Sequence, residues 1–231
     1  MNIFIKIFTI FTFLVSFAFL SHPSSAQQMT SSNDSDPKAK AMLTKIKKQY
    51  DAFKSMEVSF QMDLDLPGQS TEVQKGTVIQ QGSKYFIKMK DQDIYSDGKN
   101  AWIHLKKNKE VQLTSVDESE NNAVISPKQM LSLYENGDYV YTITSTPTVS
   151  GKKLTEIEFK PLSKKSDFTK MKLLVDDKSN KVVSLQVFSR DGSKYKLTIS
   201  NTVTNRQYDS GIFVFDQKKN PGVHIEDLRI D

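Results

Sequence analysis

The sequence predicts a mainly β fold with helices (α+β), built around one large, strongly curved antiparallel sheet of about 10–11 strands. Three observations lead to this prediction. Apolar and polar residues alternate with a period of two through most of the chain. Pairs of turn-forming residues such as Pro67-Gly68 and Asp97-Gly98 separate the alternating runs. Only two segments show the 3.6-residue period of an amphipathic helix.

Composition limits the class of protein. The chain has 231 residues, of which 37% are hydrophobic and 26% charged, so it can form a soluble domain with a substantial core. It has no cysteine. Disulfides, Cys-ligated zinc, iron–sulfur clusters and thiol catalysis are therefore excluded.

The first 26 residues have the pattern of a secretory signal peptide. Lys6 supplies a positive charge, residues 7–20 are apolar, and Ser24-Ser25-Ala26 places small residues at a cleavage site. We predict cleavage after Ala26 and export of the remainder. An uncleaved membrane anchor is the alternative, but the apolar run is shorter than the roughly 20 residues of a span. Because no cysteine follows the cleavage site, we expect no lipid anchor.

The exported chain begins with a polar segment and a helix. Residues 27–36 are rich in Ser, Asn and Asp, which predicts a flexible leader, and residues 37–231 are expected to form a single domain. The dipeptide Asp36-Pro37 starts a helix, since Asp caps free amides and Pro suits the first helical position. The apolar stripe of this helix is Ala39, Met42, Leu43, Ile46, Tyr50 and Phe53.

From Val58 the period changes to two, which marks the first strand. Its apolar residues are Val58, Phe60, Met62, Leu64 and Leu66. Further strands are predicted at 76–81, 84–90, 93–96, 101–105, 110–113, 139–145, 153–161, 168–176, 182–189, 195–201 and 213–215. A second helix is predicted at 128–134, after Ser126-Pro127, with Met130, Leu131 and Leu133 as its apolar residues.

One apolar sheet face of this size must be filled with side chains or hold a ligand, because only two helices are present to cover it. Periodicity alone leaves both interpretations open for any single residue.

Motifs for catalysis or phosphate binding are missing from the sequence. Asp63 and Asp65 point the same way on a strand and could serve a hydrolase, but a solvated outer face explains them better. His104 is expected to be a packing or surface residue. We therefore predict no enzyme, no cofactor and no metal site. The lysine runs lie in turns without stacking aromatics, so we expect no nucleic acid, and only weak attraction to anionic membrane surfaces or an acidic partner.

Several motifs resemble the periplasmic outer-membrane lipoprotein carriers, the LolA-type chaperones. The segment 95–102, Tyr-Ser-Asp-Gly-Lys-Asn-Ala-Trp, resembles their V-S-D-G-K-x-x-W hairpin, and Val58-Ser59-Phe60-Gln61 resembles their first strand. Phe213-Val214-Phe215, Pro221-Gly222-Val223 and Asp227-Leu228-Arg229 resemble their F-x-F, P-x-G-V and D-x-R tail. The ordered set covers nearly all of the exported chain.

This resemblance implies an incomplete antiparallel barrel with a helical lid and an apolar cavity for acyl chains. The implied cargo is triacylated lipoproteins, taken from an ABC-type transporter in the inner membrane and passed to an outer-membrane receptor by a periplasmic, monomeric carrier. The residues we expect to line the cavity are Met42, Ile46, Tyr50, Val58, Phe60, Met62, Leu64, Tyr85, Ile87, Met89, Met130 and Leu133. We expect Phe60→Asp or Ile46→Asp to abolish lipid uptake and leave the protein soluble.

One position departs from the family pattern. The resemblance implies an Arg after the strand 76–81 that holds the lid shut, whereas this sequence has Gly82. Apolar contacts from the first helix, or Lys84, would then replace it. Two other functions fit the same sequence: a lipid- or glycolipid-binding envelope sensor or carrier of the same fold, and a structural envelope interaction domain with a filled core.

Overall fold

The computed structural model describes residues 31–116 and 134–229. Within them lie one α-helix, α1 (Pro37–Asp51), and short 3₁₀ helices at Ser32–Asp34, Ser210–Phe213 and Gln217–Lys219. The strands are β1 (Ser55–Asp65), β2 (Glu72–Gln81), β3 (Lys84–Met89), β4 (Gln92–Ser96), β5 (Asn100–Leu105), β6 (Glu110–Ser115), β7 (Tyr139–Ser145), β8 (Thr148–Val149), β9 (Lys152–Pro161), β10 (Phe168–Asp176), β11 (Lys181–Ser189), β12 (Lys194–Thr204) and β13 (His224–Asp227).

The strands form a single open sheet in the order β13-β6-β5-β4-β3-β2-β1-β12-β11-β10-β9-β7, with β8 paired to β9. The first strand lies at the centre, between β2 and β12. The two edge strands, β13 and β7, are not neighbours in the described sheet, so the barrel is not closed. The predicted incomplete antiparallel barrel is confirmed, with two short strands, β8 and β13, that the sequence did not predict. The second of these is parallel to β6.

The helix α1 packs on one face of the sheet, which we call the inner face. Asp36 caps it by accepting the Lys38 backbone N–H at 2.8 Å, and Pro37 occupies its first position, as predicted. Its buried residues, together with the half-buried Met42 and Tyr50, pack against β7, β9, β10 and β11. The buried residues of this cluster are Ala39, Leu43, Ile46, Tyr134, Tyr141, Ile157, Phe159, Met171, Leu173 and Val175.

Residues 31–36, assigned to the leader from sequence, contain an ordered turn. Ser31 and Asp34 form a reciprocal capping box around the first 3₁₀ helix. The backbone N–H of Asp36 donates to the Tyr141 carbonyl at 2.8 Å, and Ser35 Oγ accepts the Tyr141 N–H at 3.3 Å. This end of the leader therefore covers part of the β7 edge. Residues 1–30, which include the predicted signal peptide, lie outside the described residues.

The chain after β12 crosses the opposite, outer face of the sheet; we call residues 205–229 the C-terminal strap. The Tyr208 hydroxyl donates to Glu57 Oε2 at 2.6 Å, and Phe213 is fully buried. The Phe215 ring contacts the rings of Tyr95 and His104 edge-on, at centroid distances of 5.9 and 5.2 Å. The strap ends as β13.

The strand predicted at 213–215 is wrong. Residues 210–213 form a 3₁₀ helix whose cap is Asp209, which accepts the Gly211 N–H at 2.8 Å. The apolar alternation of Phe213 and Phe215 reflects two side chains that plug the outer face, not a strand in the sheet. The predicted helix at 128–134 lies outside the described residues, except for Tyr134, which is buried in a turn.

Candidate functional site: the inner face of the sheet and its helical cover

The inner face is apolar across both halves of the sheet. In antiparallel pairs, directly opposed residues point to the same side, so strand register shows which side chains share a face. One apolar row crosses β1 to β5, and a second crosses β1, β12, β11, β10 and β9. The first row is Val58, Val78, Ile87, Ile94 and Ile103. The second is Met62, Leu197, Leu185, Leu173 and Ile157.

All seven strand residues expected to line a cavity lie on this inner face. On β1 they are Val58, Phe60, Met62 and Leu64, and the register with β2 and β3 puts Tyr85, Ile87 and Met89 on the same side. The three predicted helix residues Met42, Ile46 and Tyr50 belong to α1, which packs on that face. Met130 and Leu133 lie outside the described residues.

Burial divides these ten residues into two groups. Ile46, Val58, Phe60 and Tyr85 are at most 7% exposed and serve as packing in this conformation. The other six are half-buried, so a ligand on the inner face could contact them without unfolding the core. They are Met42, Tyr50, Met62, Leu64, Ile87 and Met89. The expectation that Phe60→Asp or Ile46→Asp would act on lipid uptake alone is thus at odds with the burial of both side chains.

The position of Phe60 depends on a glycine in the next strand. Gly76 stands directly opposite Phe60, and a β-carbon built on Gly76 would lie 2.6 Å from Phe60 Cζ and 2.6 Å from the Lys88 carbonyl oxygen. The same β-carbon would lie 3.0 Å from Met89 Cγ. Only glycine leaves this ring room to lie over the β2 backbone.

Polar contacts hold α1 at its C-terminal end. The Tyr50 hydroxyl accepts the Val182 backbone N–H at 3.3 Å, and burial raises the pKa of Tyr50 despite that hydrogen bond. After the helix, the Lys54 N–H donates to Asn205 Oδ1 at 2.9 Å. Lys47 pairs with Asp51 on the helix surface at 2.5 Å.

No arginine is needed for this attachment. Gly82 follows β2 with a φ of +62°, and a β-carbon there would meet open space. Lys84, the suggested substitute, lies close enough to Asp97 to help lower the pKa of that carboxyl. The Tyr50 hydrogen bond and the apolar stripe of α1 therefore hold the helix on the inner face of the sheet.

A cleft opens at the end of α1, beside Gly82. It is small and partly open to solvent, with an accessible volume of about 50 Å³. Its lining combines apolar and polar side chains from the end of α1, the start of β1 and the end of β2. The residues are Tyr50, Asp51, Phe53, Lys54, Ser55, Met56, Gln80 and Gly82.

The inner face becomes polar next to this cleft. Gln80, Tyr85 and Ser96 are successive partners across β2, β3 and β4, and each is at most 8% exposed. Gln80 Nε2 donates to the Gly82 carbonyl at 3.2 Å. Burial raises the pKa of Tyr85, and a hydrogen bond with Ser96 opposes that rise. The apolar rows are thus bordered by a satisfied polar row at the cleft end.

A model of the family described as outer membrane lipoprotein carrier protein LolA matches residues 51–216. The chain belongs to this family. No curated protein matches the sequence. The match runs from the last residue of α1 into the strap.

Several solved structures are similar to this chain at low sequence identity. An uncharacterized conserved protein from Thermus thermophilus has a TM-score of 0.55 at 7% identity, covering 82% of this chain and 99% of that chain. A DUF1329 family protein from Desulfovibrio piger has a TM-score of 0.44 at 13% identity, covering 80% and 98%. A LolA superfamily protein from Nitrosomonas europaea has a TM-score of 0.40 at 13% identity, covering 77% and 97%.

The structure gives a physical role to the S-D-G-K hairpin by which the sequence resembles the LolA family. Ser96 is fully buried, and its Oγ accepts the Gly98 N–H at 3.2 Å. Burial acts to raise the pKa of Asp97, but hydrogen bonds from the Asn100 and Lys99 backbones outweigh it, so that pKa is lowered. Gly98 has a φ of +92°, and a β-carbon there would lie 2.5 Å from Ser83 Oγ. The motif therefore fixes the turn between β4 and β5.

A second buried cluster lies on the outer face of the LolA-type sheet, under the strap. Asp93 and His104 are directly opposed on β4 and β5, and each is at most 8% exposed. Lys106 Nζ pairs with Asp93 Oδ1 at 2.7 Å. Burial and the nearby Asp93 raise the pKa of Tyr95 to about 12. His104 Nδ1 is buried and has no hydrogen-bond partner among the residues that the structure describes, and burial lowers the pKa of His104.

Asp63 and Asp65 do not converge on a shared site. Both lie on the outer face, where register places them opposite Lys196 and Lys194. Gln61 Nε2 donates to Asp63 Oδ1 at 2.8 Å, and Lys194 Nζ lies 3.3 Å from Asp65 Oδ2. These contacts are those of a solvated, charge-paired strand face. Residues 31–116 and 134–229 contain no group of three or more His, Asp or Glu side chains able to hold a metal ion.

Sequence reasoning missed two parts of the site. It did not identify Phe53, Met56 and Gln80 at the cleft, because they come from three different elements. It also did not predict the outer-face cluster, although Tyr85-Phe86-Ile87 and Ala101-Trp102-Ile103 are apolar without alternation, which signals burial on both faces. No helix in the described part of the chain has both the length and the apolar character needed to cross a bilayer.

Proposed function

We propose that this LolA-family protein is a periplasmic chaperone that carries triacylated lipoproteins. It would receive them from an ABC-type transporter in the inner membrane and deliver them to an outer-membrane receptor. The observation that supports this most strongly is the inner face: two apolar rows crossing the sheet, with six predicted lining residues left half-buried. A family of lipoprotein carriers gives that surface its expected ligand, the acyl chains.

Partial enclosure suits a carrier. Burying one methylene group is worth about 0.8 kcal/mol, so full burial of three long acyl chains would nominally exceed the practical affinity limit of about 18–21 kcal/mol. Such a carrier could not release its cargo. Half-buried residues such as Met62, Ile87 and Met89 would instead contact the chains while part of the ligand stays in water.

The helix α1 would act as the movable cover. It packs on the β7, β9, β10 and β11 half of the inner face, where Ile46 of α1 and Ile157 of β9 are both fully buried. Its ends are attached by few hydrogen bonds, through Asp36 to β7 and through Tyr50 to β11. Acyl chains that replace the apolar contacts of α1 would shift it outward without a net loss of apolar burial.

The protein would do no chemistry on its cargo. Its proposed activity is binding and release, with no cofactor, and the energy for extracting a lipoprotein from the membrane would come from the transporter. We expect it to act as a monomer.

A release assay tests the proposal. Protein isolated from the envelope of an expressing host is added to transporter-containing vesicles that hold a labelled triacylated lipoprotein, with and without ATP. We expect label to leave the membrane in complex with the protein only when both are present. A known LolA carrier run beside it serves as the positive control.

Two matched variants connect release to the inner face. Ile87→Gln with Met89→Gln changes inward residues of β3, whereas Lys88→Gln with Lys90→Gln changes exposed residues beside them. We expect at least a tenfold loss of released label for the inward pair and less than a twofold change for the outward pair. Equal effects, or release without ATP, would refute the proposal. Binding of free lipid without release of lipoprotein would favour a lipid- or glycolipid-binding sensor or carrier, and binding of neither would favour a filled structural domain.

A further inference from the structure

The net positive charge of the chain is concentrated in one short segment. Residues 37–54, which span α1 and the turn after it, contain six lysines and one aspartate. Their net charge of +5 equals the formal net charge of the whole 231-residue chain. The rest of the sequence is therefore neutral overall, so residues 37–54 account for the net positive charge that would attract an anionic surface.

Most of these lysines face water. We call the exposed lysines of this segment the basic face; they are Lys38, Lys40, Lys45, Lys48 and Lys54. The sixth, Lys47, pairs with Asp51 and lies 3.9 Å from Glu135. Among the described residues, no ion pair involves a member of the basic face, and Asp36 is occupied as the helix cap. The opposite side of the same helix is fully buried at Ala39 and Ile46.

This arrangement fits an extended anionic surface better than a folded protein partner. The exposed uncharged positions between the lysines carry small side chains, Ala41, Thr44 and Ala52, whereas the aromatic residues Tyr50 and Phe53 are half-buried. Specific protein interfaces concentrate their binding energy in aromatic or aliphatic anchors. A bilayer with anionic headgroups instead attracts each lysine near its surface separately and needs no shape complementarity.

We propose that the basic face of α1 docks the protein reversibly on bilayers that contain anionic lipid headgroups. The contact is electrostatic and peripheral, because the apolar side of α1 is buried on the sheet. Lys54 belongs to the basic face and also lines the cleft at the end of α1. Docking therefore turns the cleft, and the adjoining end of the inner face, toward the membrane surface. This proposal does not depend on lipoproteins being the cargo.

Vesicle sedimentation tests it. Protein isolated from the envelope of an expressing host, with its N terminus established by mass spectrometry, is mixed with phosphatidylcholine vesicles or with vesicles containing 30% phosphatidylglycerol. We expect binding to the anionic vesicles at 50 mM NaCl, at least tenfold weaker binding at 300 mM, and no binding to the neutral ones.

Two triple variants of equal charge separate the basic face from net charge. The test variant is Lys38→Gln, Lys45→Gln, Lys48→Gln, and the control is Lys164→Gln, Lys165→Gln, Lys218→Gln, all exposed residues. We expect at least a tenfold loss of anionic-vesicle binding for the test variant and less than a threefold loss for the control, with unchanged thermal unfolding for both. An equal loss in both, or equal binding to neutral vesicles, overturns the proposal. If the unsubstituted protein does not sediment with anionic vesicles, the proposal is also overturned, and an acidic protein becomes the partner to test.

Discussion

The ring of Phe60 lies over Gly76, the residue directly opposite it on the next strand, with no space between them for a methyl group. The ring is buried, and it stands between half-exposed inner-face residues on β1 and β3. Glycine at this point thus controls how far an aromatic side chain extends across the surface proposed to hold acyl chains.

Gly76→Ala should therefore destabilise the protein and displace Phe60. The added methyl would meet the ring and the Lys88 carbonyl, and such overpacking costs about 1–3 kcal/mol. Urea unfolding would measure the loss. In a Phe60→Leu background, the same change should cost less but still more than zero, because the carbonyl remains. An equal cost in both backgrounds would show that the ring is not the obstacle.

Ile46→Asp should prevent stable folding. Ile46 is fully buried in the cluster between α1 and the sheet, and a carboxylate there has no partner, so we expect a loss of about 4 kcal/mol or more. Circular dichroism during urea titration is the measurement. Lys45→Asp, one residue away and exposed, is the control and should fold normally. A folded, cooperative Ile46→Asp protein would contradict the assignment of α1 to this core.

Tyr50→Phe should loosen the end of α1 without unfolding the protein. The Val182 N–H would lose the hydroxyl that accepts it, at a cost of about 1 kcal/mol. We expect faster hydrogen exchange in residues 46–52 and faster uptake of a fluorescent acyl probe. Tyr139→Phe, in the same cluster but on β7, is the control. Unchanged exchange in α1 would mean that this hydrogen bond does not restrain the helix.

His104 should make stability depend on pH. Its folded-state pKa lies below the ordinary value of about 6.5 because it is buried; Asp93 opposes this shift and Lys106 adds to it. The unfolded chain therefore takes up the proton first. The contribution of neutral His104 to the free energy of unfolding is present above about pH 6.5. It is lost as the pH falls through the folded-state pKa of His104.

His104→Phe would remove this titration and keep a ring beside Phe215. Thermal unfolding measured from pH 7.5 to pH 5 should show the Tm of the unsubstituted protein falling further than that of the variant. Parallel curves would indicate that the pKa of His104 is the same in the folded and unfolded states.

Local signals predicted the fold well. Asp36 and Pro37 fix the start of α1 through contacts within one turn, and alternation on β1 correctly placed Phe60, Met62 and Leu64 on one side. The two-residue period of a strand shows which of its side chains point to the same side, and this is enough to predict a shared face. It does not reveal burial, so the division between packed Val58 and half-exposed Ile87 required the structure.

The strap shows where local reasoning fails. Phe213 and Phe215 alternate like strand residues. Their positions are instead set by packing against β3, β4 and β5 on the outer face, more than 100 residues earlier in the chain. No window around residues 213–215 contains that information. The cleft was missed for a similar reason, since Phe53, Met56 and Gln80 meet only when α1, β1 and β2 are assembled.

The central position of β1 has a consequence for how the chain reaches its native state. Residue 59 pairs with residue 201, and the stripe of α1 packs on strands that begin at residue 139 or later. The helix α1 and the strand β1 emerge early during synthesis, and β2 follows at once. The second neighbour of β1, β12, and the strands under α1 are made only later. Assembly dominated by such distant contacts is slow. We therefore expect truncation before β12 to leave β1 with β2 as its only neighbour and to disconnect the β7–β11 half of the sheet, on which α1 packs, from β1. The protein should then acquire its fold only when nearly complete.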